Sequence, residues 1–288
     1  MAAAVIERRA GQGLAASTFL APATCVVLLA MVAPLLLLAR YSLNRFSATD
    51  LMIDAVTPEN FLRFFTDPYY LGVMRTTIGV ALLSTGLCLL LGLPLAWQLA
   101  RMGPRWKPAC VLAVMLPLFI GSTVRTVGWM ILLARDGLMD IAGLRLFGVR
   151  MDLMFTPTAV VIGIVSFNLP YLVLTMQSVF EGIDGRLEEA AQGLGAPPVR
   201  AFWRVVWPLV LPGVGIAAIL CFILSMNAYA TPVLLGGPRF QMMAPLLYWE
   251  FGTNNNWPFA AALAFILMAT TLLLTVFANV LIPRRYRA

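Results

Sequence analysis

Long apolar stretches alternate with short polar ones along the chain, and six of them predict membrane-spanning helices. They lie at about 18–39, 76–100, 109–134, 159–180, 205–230 and 258–282. Each is long enough to cross the hydrocarbon core of a bilayer, which takes roughly 20 residues of helix. The first follows a polar tail over 1–17 and exceeds the apolar region of a signal peptide, about 7–15 residues, so it reads as a retained span. The loop over 40–70 is rich in Asn, Asp and aromatic residues, and the loop over 135–158 is half apolar. In the loop over 231–257, Gly236-Gly237-Pro238 reads as a turn, 242–251 as a short helix at the interface, and Asn254-Asn255-Asn256 as a second turn. An even number of spans puts both termini on one side.

The most polar and most patterned part of the second half is 184–212. Leu187, Ala190, Ala191 and Leu194 fall at i, i+3, i+4 and i+7, which predicts a short helix with one apolar face. Asp184 is its candidate N-cap, and Glu188 and Glu189 put negative charge near the positive end of the helix dipole. Gly195 can end the helix in a left-handed conformation, and Pro197-Pro198 forces a turn before a second amphipathic start at Val199. The bland alternative is a helix lying on the bilayer surface. Such helices usually carry a basic polar face opposite large apolar residues. This one has paired Glu and small Ala, which suits close docking into another protein.

Composition agrees with a membrane protein: 61% of the 288 residues are hydrophobic and 11% charged. Mean hydropathy is +0.88, whereas charged residues alone make up about 25% of soluble domains. The chain has no His and a single Lys, Lys107, in the run Gly-Pro-Arg-Trp-Lys-Pro-Ala. That excludes a phosphate-binding loop of the G-x-x-x-x-G-K-[ST] kind, serine triads, Cys-His nucleophile pairs and His-based metal sites. Cys25, Cys88, Cys110 and Cys221 are far apart in apolar runs and read as small buried hydrophobes. No catalytic residue, cofactor or metal site is expected.

The net charge of +7 is unevenly placed. The N-terminal tail, the loops at 101–108 and 181–204 and the C-terminus carry eleven Lys and Arg with five acidic residues. The longer loops on the other side carry seven with eight. The first side is therefore expected to be cytoplasmic, both termini and the 284–288 tail included, and the charge points to the bilayer rather than to nucleic acid. Polar residues within spans are candidates for function because they are costly in hydrocarbon. They are Arg125, Asn168, Asn227 and Tyr229. Their structural alternatives are a carbonyl contact inside the bundle for Arg125, repair of backbone freed by Pro170 for Asn168, and interhelical hydrogen bonds for Asn227 and Tyr229.

The patterned loop resembles that of the permeases of ABC transporters, which carry E-A-A, three residues, G, nine residues, I, one residue, L-P. Here Glu189-Ala190-Ala191 is followed at that spacing by Gly195, by Val205 in place of Ile, and by Trp207-Pro208 in place of Leu-Pro. From about Phe65 onward the chain also looks like the spermidine/putrescine-type permeases, in PLFIGSTVRTVGW, in FTPTAVVIGIVSFNLPYLVL and in NNNWPFAAAL. The resemblance implies an all-α integral membrane protein with the six-helix bundle of a type I importer, one permease domain over 18–283, in the bacterial inner membrane. It implies ATPase contact through Leu187, Glu188, Glu189, Ala190, Ala191, Leu194 and Gly195. The implied partners are two ATP-binding cassette subunits, a second and usually non-identical permease, and a periplasmic solute-binding protein. ATP hydrolysis would then belong to a partner, and the solute would be a polyamine or another small polar molecule such as an opine, a phosphonate, thiamine or iron. A secondary transporter working without ATP is the rival. It is disfavoured by the motif spacing, the absence of a visible inverted repeat and the lack of carboxylates or His in the spans. A membrane enzyme lacks its chemistry.

Overall fold

The computed structural model describes residues 2–49, 51–150 and 152–281. The tail expected at 284–288 lies outside the described residues. The chain opens with α1 (Ala2–Ser42), which continues through the expected tail; its span-length apolar part is Thr24–Ser42. A hairpin of β1 (Arg45–Ser47) and β2 (Leu51–Ile53) follows, antiparallel with Phe46 opposite Met52, and then α2 (Glu59–Thr66). The all-helical expectation did not foresee this hairpin.

The helix α3 (Pro68–Arg101) starts at Asp67, whose carboxylate accepts from the Tyr69 N–H, with Pro68 in the first turn where a missing N–H costs nothing. Next come α4 (Lys107–Met115), a tight turn at Leu116–Phe119, and α5 (Ser122–Leu133). The third predicted span, 109–134, is thus not one straight helix: its two halves meet at 97°. Pro117 brings no N–H to the ladder, and Ile120 and Gly121 are extended, so the helix has to restart. An unforeseen α6 (Leu138–Phe147) occupies the next loop and ends at Gly148 with φ +68°.

The chain continues with α7 (Pro157–Glu181), capped by the Thr156 hydroxyl accepting from Ala159 N–H, then α8 (Arg186–Gly193) and α9 (Pro198–Ala201). After a wide π-type turn at Phe202–Val206 comes α10 (Trp207–Met226). The fifth span therefore begins at Pro198 and stops at Met226, short of the predicted 230. Both the backbone N–H and the side-chain amide of Asn227 are bonded to the Ile223 carbonyl, and Pro232 would clash with a helix continued past it. The remaining elements are α11 (Ala230–Gly236), α12 (Met243–Gly252), which matches the short helix expected at 242–251, and α13 (Trp257–Leu281). Among the described residues, five helical segments are long and apolar enough to cross a membrane, six if the bent pair counts as one span.

Contacts divide the chain into two compact units. One comprises 1–63 with 250–265. In it the Asn60 amide donates to the carbonyls of Ser42 and Asn44, both at 2.8 Å, and so ties α2 to the end of α1. The Arg63 guanidinium lies 4.5 Å over the Phe259 ring, and the Asn256 side chain caps α13 by accepting from Phe259 N–H.

The other unit comprises 64–249 with the described residues from 266 to 281. Its core is the mutual packing of α3, α7 and α10 around Cys88, Ile164, Leu172, Met176, Val210 and Cys221. Close approach depends on small residues, as is usual between helices in lipid. A Cβ on Gly92 would stand 2.4 Å from Leu172 Cδ2, and one on Gly213 would stand 2.6 Å from Val179 Cγ1.

Candidate functional site

The patterned loop begins where α7 ends. Asp184 is not the N-cap: α8 starts one residue later, with Gly185 in that place, and the Asp184 carboxylate instead accepts from Arg186 N–H at 3.0 Å. Glycine can close this turn against the Arg101 side chain, whose Nη1 would lie 3.1 Å from a Cβ at 185. At the far end Gly195 has φ +88°, its N–H bonds the Gln192 carbonyl, and the Ala196 N–H bonds the Ala191 carbonyl. This pair of bonds is the Schellman arrangement, and it takes up carbonyls that a helix end leaves open.

Two ion pairs hold the loop to the segment joining α3 and α4. Arg101 meets Glu188 at 2.6 Å, and Lys107 meets Glu181 at 2.9 Å, with the Gln177 amide donating to the same Glu181 carboxylate. Glu188 thus has a partner, while Glu189 is exposed. On the predicted apolar face Leu187 is 47% and Leu194 91% exposed, Ala190 is exposed and Ala191 half buried. Beyond α9 the wide turn gathers aromatic rings: Trp97 meets Phe202 edge-on at 5.4 Å, and Trp203 lies 5.1 Å from Trp207. Trp207, the departure from the E-A-A pattern, packs in this cluster at the foot of α10. The clamp and the cluster escaped the sequence reading. Their signal was opposite charge in two neighbouring loops of one membrane face and four aromatic residues at their edge.

A second assembly lies between α5, α7, α10 and α11. Asn168, Asn227 and Tyr229 line one pocket of ≈ 350 Å³, together with Ser122, Thr123, Phe167 and Thr231. Asn168 is fully buried, and its Nδ2 donates across to the Cys221 carbonyl at 3.3 Å and to Ser225 Oγ at 2.7 Å. It therefore links α7 to α10 rather than repairing its own helix at Pro170. A carbonyl only accepts, so the amide orientation is fixed, and Asn168 Oδ1 is left without a partner among the described residues. The Asn227 Nδ2 gives one of its two N–H groups to the Ile223 carbonyl at 2.9 Å. The Tyr229 ring lies 4.9 Å from that of Tyr248.

Arg125 does not line the pocket. Its Nη2 donates to the carbonyls of Pro117, which also accepts from the Ile120 N–H, and of Ile120, at the break between α4 and α5, and its guanidinium lies 5.1 Å from the Phe167 ring centre. Its Nε and Nη1 are buried and have no partner among the described residues. No cluster of three metal-ligating side chains occurs among the described residues, and neither assembly places a nucleophile beside a base.

The chain matches a family described as binding-protein-dependent transport system inner membrane component over residues 81–287. It is 30% identical over 235 residues to the spermidine/putrescine transport system permease protein PotB of Haemophilus influenzae, covering 80% of this chain and 82% of the relative. It is 29% identical over 219 residues to the molybdenum transport system permease protein ModB of Mycobacterium bovis, covering 75% and 82%. Its fold is similar, with a TM-score of 0.78 at 15% identity and 98% of both chains covered, to a chain in a crystal structure of a bacterial alginate ABC transporter with a periplasmic protein holding an alginate pentasaccharide. The family match, the likeness to PotB and the helical membrane architecture agree, and the chain belongs to the binding-protein-dependent transport system inner membrane components, the multi-pass permeases of ABC importers.

Proposed function

We propose that this chain is one of two permeases lining a translocation pathway, that α8 docks on a separate ATPase in the cytoplasm, and that the cargo is a small polyamine-like solute delivered by a periplasmic binding protein. The observation that carries the docking role is the build of α8: its first turn is held by the Arg101–Glu188 ion pair and its far end by a Schellman cap, yet Leu187 and Leu194 are left uncovered. Fixed ends with an apolar outer face suit an element that receives force. Closure of the ATPases would displace α8, and the turn at Gly195 and Pro197 would pass that displacement to α10. Because the chain has no nucleotide-binding loop, differential contacts with the two ATPase states must supply the energy.

The test is copurification. Glu189→Lys and Leu194→Asp are expected to strip the ATPase from the tagged permease while its membrane abundance is unchanged. Full retention in both variants would overturn the docking role.

A second reading of the cargo rests on Arg125. Its buried, unpartnered Nε–H and Nη1–H would suit an oxyanion, and one relative is named for molybdenum transport. The polyamine reading is favoured by the PotB likeness and by the use of both Asn168 amide donors inside the bundle.

A further inference from the structure

We propose that the pocket between α5, α7, α10 and α11 is a subsite for a protonated amine, recognised by the Oδ1 atoms of Asn168 and Asn227 and by the Tyr229 ring; this rests on reading the pocket as part of the translocation pathway. An amide offers a ligand either donors or acceptors, depending on what the protein has already used. Asn168 uses both of its amide N–H groups internally, on the Cys221 carbonyl and Ser225 Oγ, and has only oxygen left; Asn227 uses one on the Ile223 carbonyl and keeps its oxygen and a second N–H.

Asn168 Oδ1 is the stronger sign, because it is a buried acceptor without a partner among the described residues, on a fully buried residue that lines the cavity. Leaving such an atom unpaired is costly, and an ammonium group, which only donates, is its natural complement. The ring chemistry agrees. The Arg125 guanidinium already lies against Phe167, whereas the Tyr229 ring carries no cation among the described residues and is available for a cation–π contact. The hydroxyls of Ser122, Thr123 and Thr231 can accept as well as donate.

No carboxylate, Lys or Arg lines the pocket. An oxyanion would therefore find no charged donor in the lining, while an amine would be held by neutral oxygens and a ring face. That is weak enough to release, and a pathway site has to let its cargo leave. A volume of ≈ 350 Å³ accommodates an amino group with a short methylene chain.

The experiment is ATP-driven uptake into vesicles containing the complete importer with this full chain, using radiolabelled putrescine and molybdate as probes. Asn227→Leu, at an exposed position with less risk to folding than Asn168, is expected to raise the KM for putrescine roughly tenfold to a hundredfold, the usual worth of a hydrogen bond to a charged group. Asn227→Asp should hold or lower it, Tyr229→Leu should raise it, and Tyr229→Phe should leave it near wild type. ATP-driven putrescine uptake with an unshifted KM in Asn227→Leu would overturn the subsite and leave the importer reading intact. Uptake of putrescine that needs no ATP, with the KM still shifted, would overturn the importer reading and leave the subsite. ATP-driven uptake of molybdate in place of putrescine would overturn the subsite.

Discussion

Gly195 sits at φ +88°, in the region that residues with a Cβ rarely adopt, and nothing stands within 4 Å of where its Cβ would be. The constraint is therefore purely backbone. A β-branched side chain there costs about 1–2 kcal/mol locally, which a long bundle can absorb but a two-bond cap cannot. Gly195→Val is expected to leave membrane abundance near wild type and to abolish solute uptake, read by immunoblot and transport assay on the same vesicles. Normal uptake would remove Gly195 from the coupling path. This residue was legible in the sequence because glycine after an apolar repeat and before Pro-Pro has few other reasons to be there. Asp184 was misread by one position, since carboxylates that cap and carboxylates that close the preceding turn look alike in sequence. Asn168 was placed in the right helix with the wrong partner, because Ser225 and the Cys221 carbonyl are more than fifty residues away and only packing brings them near.

Among the elements, the bent pair of α4 and α5 departs furthest from the hydropathy pattern. An apolar run of span length cannot by itself distinguish one helix from two halves at 97°, and the local signals, Pro117 and Gly121, also occur inside helices that run on, as Pro94, Pro170 and Pro212 do here. What makes the break tolerable is Arg125, which supplies N–H donors to the carbonyls of Pro117 and Ile120. Arg125→Leu should orphan the Ile120 carbonyl at roughly 1–3 kcal/mol, while the Pro117 carbonyl keeps the Ile120 N–H. The expected result is a lower temperature of aggregation for the purified chain in detergent. Arg125→Lys, which lacks the planar fork, should fall between leucine and wild type. An unchanged aggregation temperature in the leucine variant would free Arg125 for a role in the pathway alone. The helices α6 and α11 went unforeseen because each is a short apolar piece beside a longer one, where periodicity has too few residues to speak.

At the scale of the whole molecule, the helical membrane character could be read from the chain because lipid leaves few ways to satisfy a backbone. The E-A-A spacing supplied the family. Lateral contacts could not be read, since α3, α7 and α10 meet through small and apolar residues that would suit many pairings. With the docking role proposed for α8, another contact would bear on energy use. The clamp of Arg101 on Glu188 and Lys107 on Glu181 is partly open to water, so its grip depends on dissolved ions, whose screening length shrinks from about 10 Å at 0.1 M to about 3 Å at 1 M. A loosened α8 would let the ATPases cycle without moving the bundle. Rising salt should therefore increase the number of ATP molecules spent per solute carried, measured as the ratio of phosphate released to solute accumulated. Arg101→Ala should already show that elevated ratio at low salt. The ion pairs would then act as a clutch, setting how much of each hydrolysis event becomes transport and how much is lost as heat.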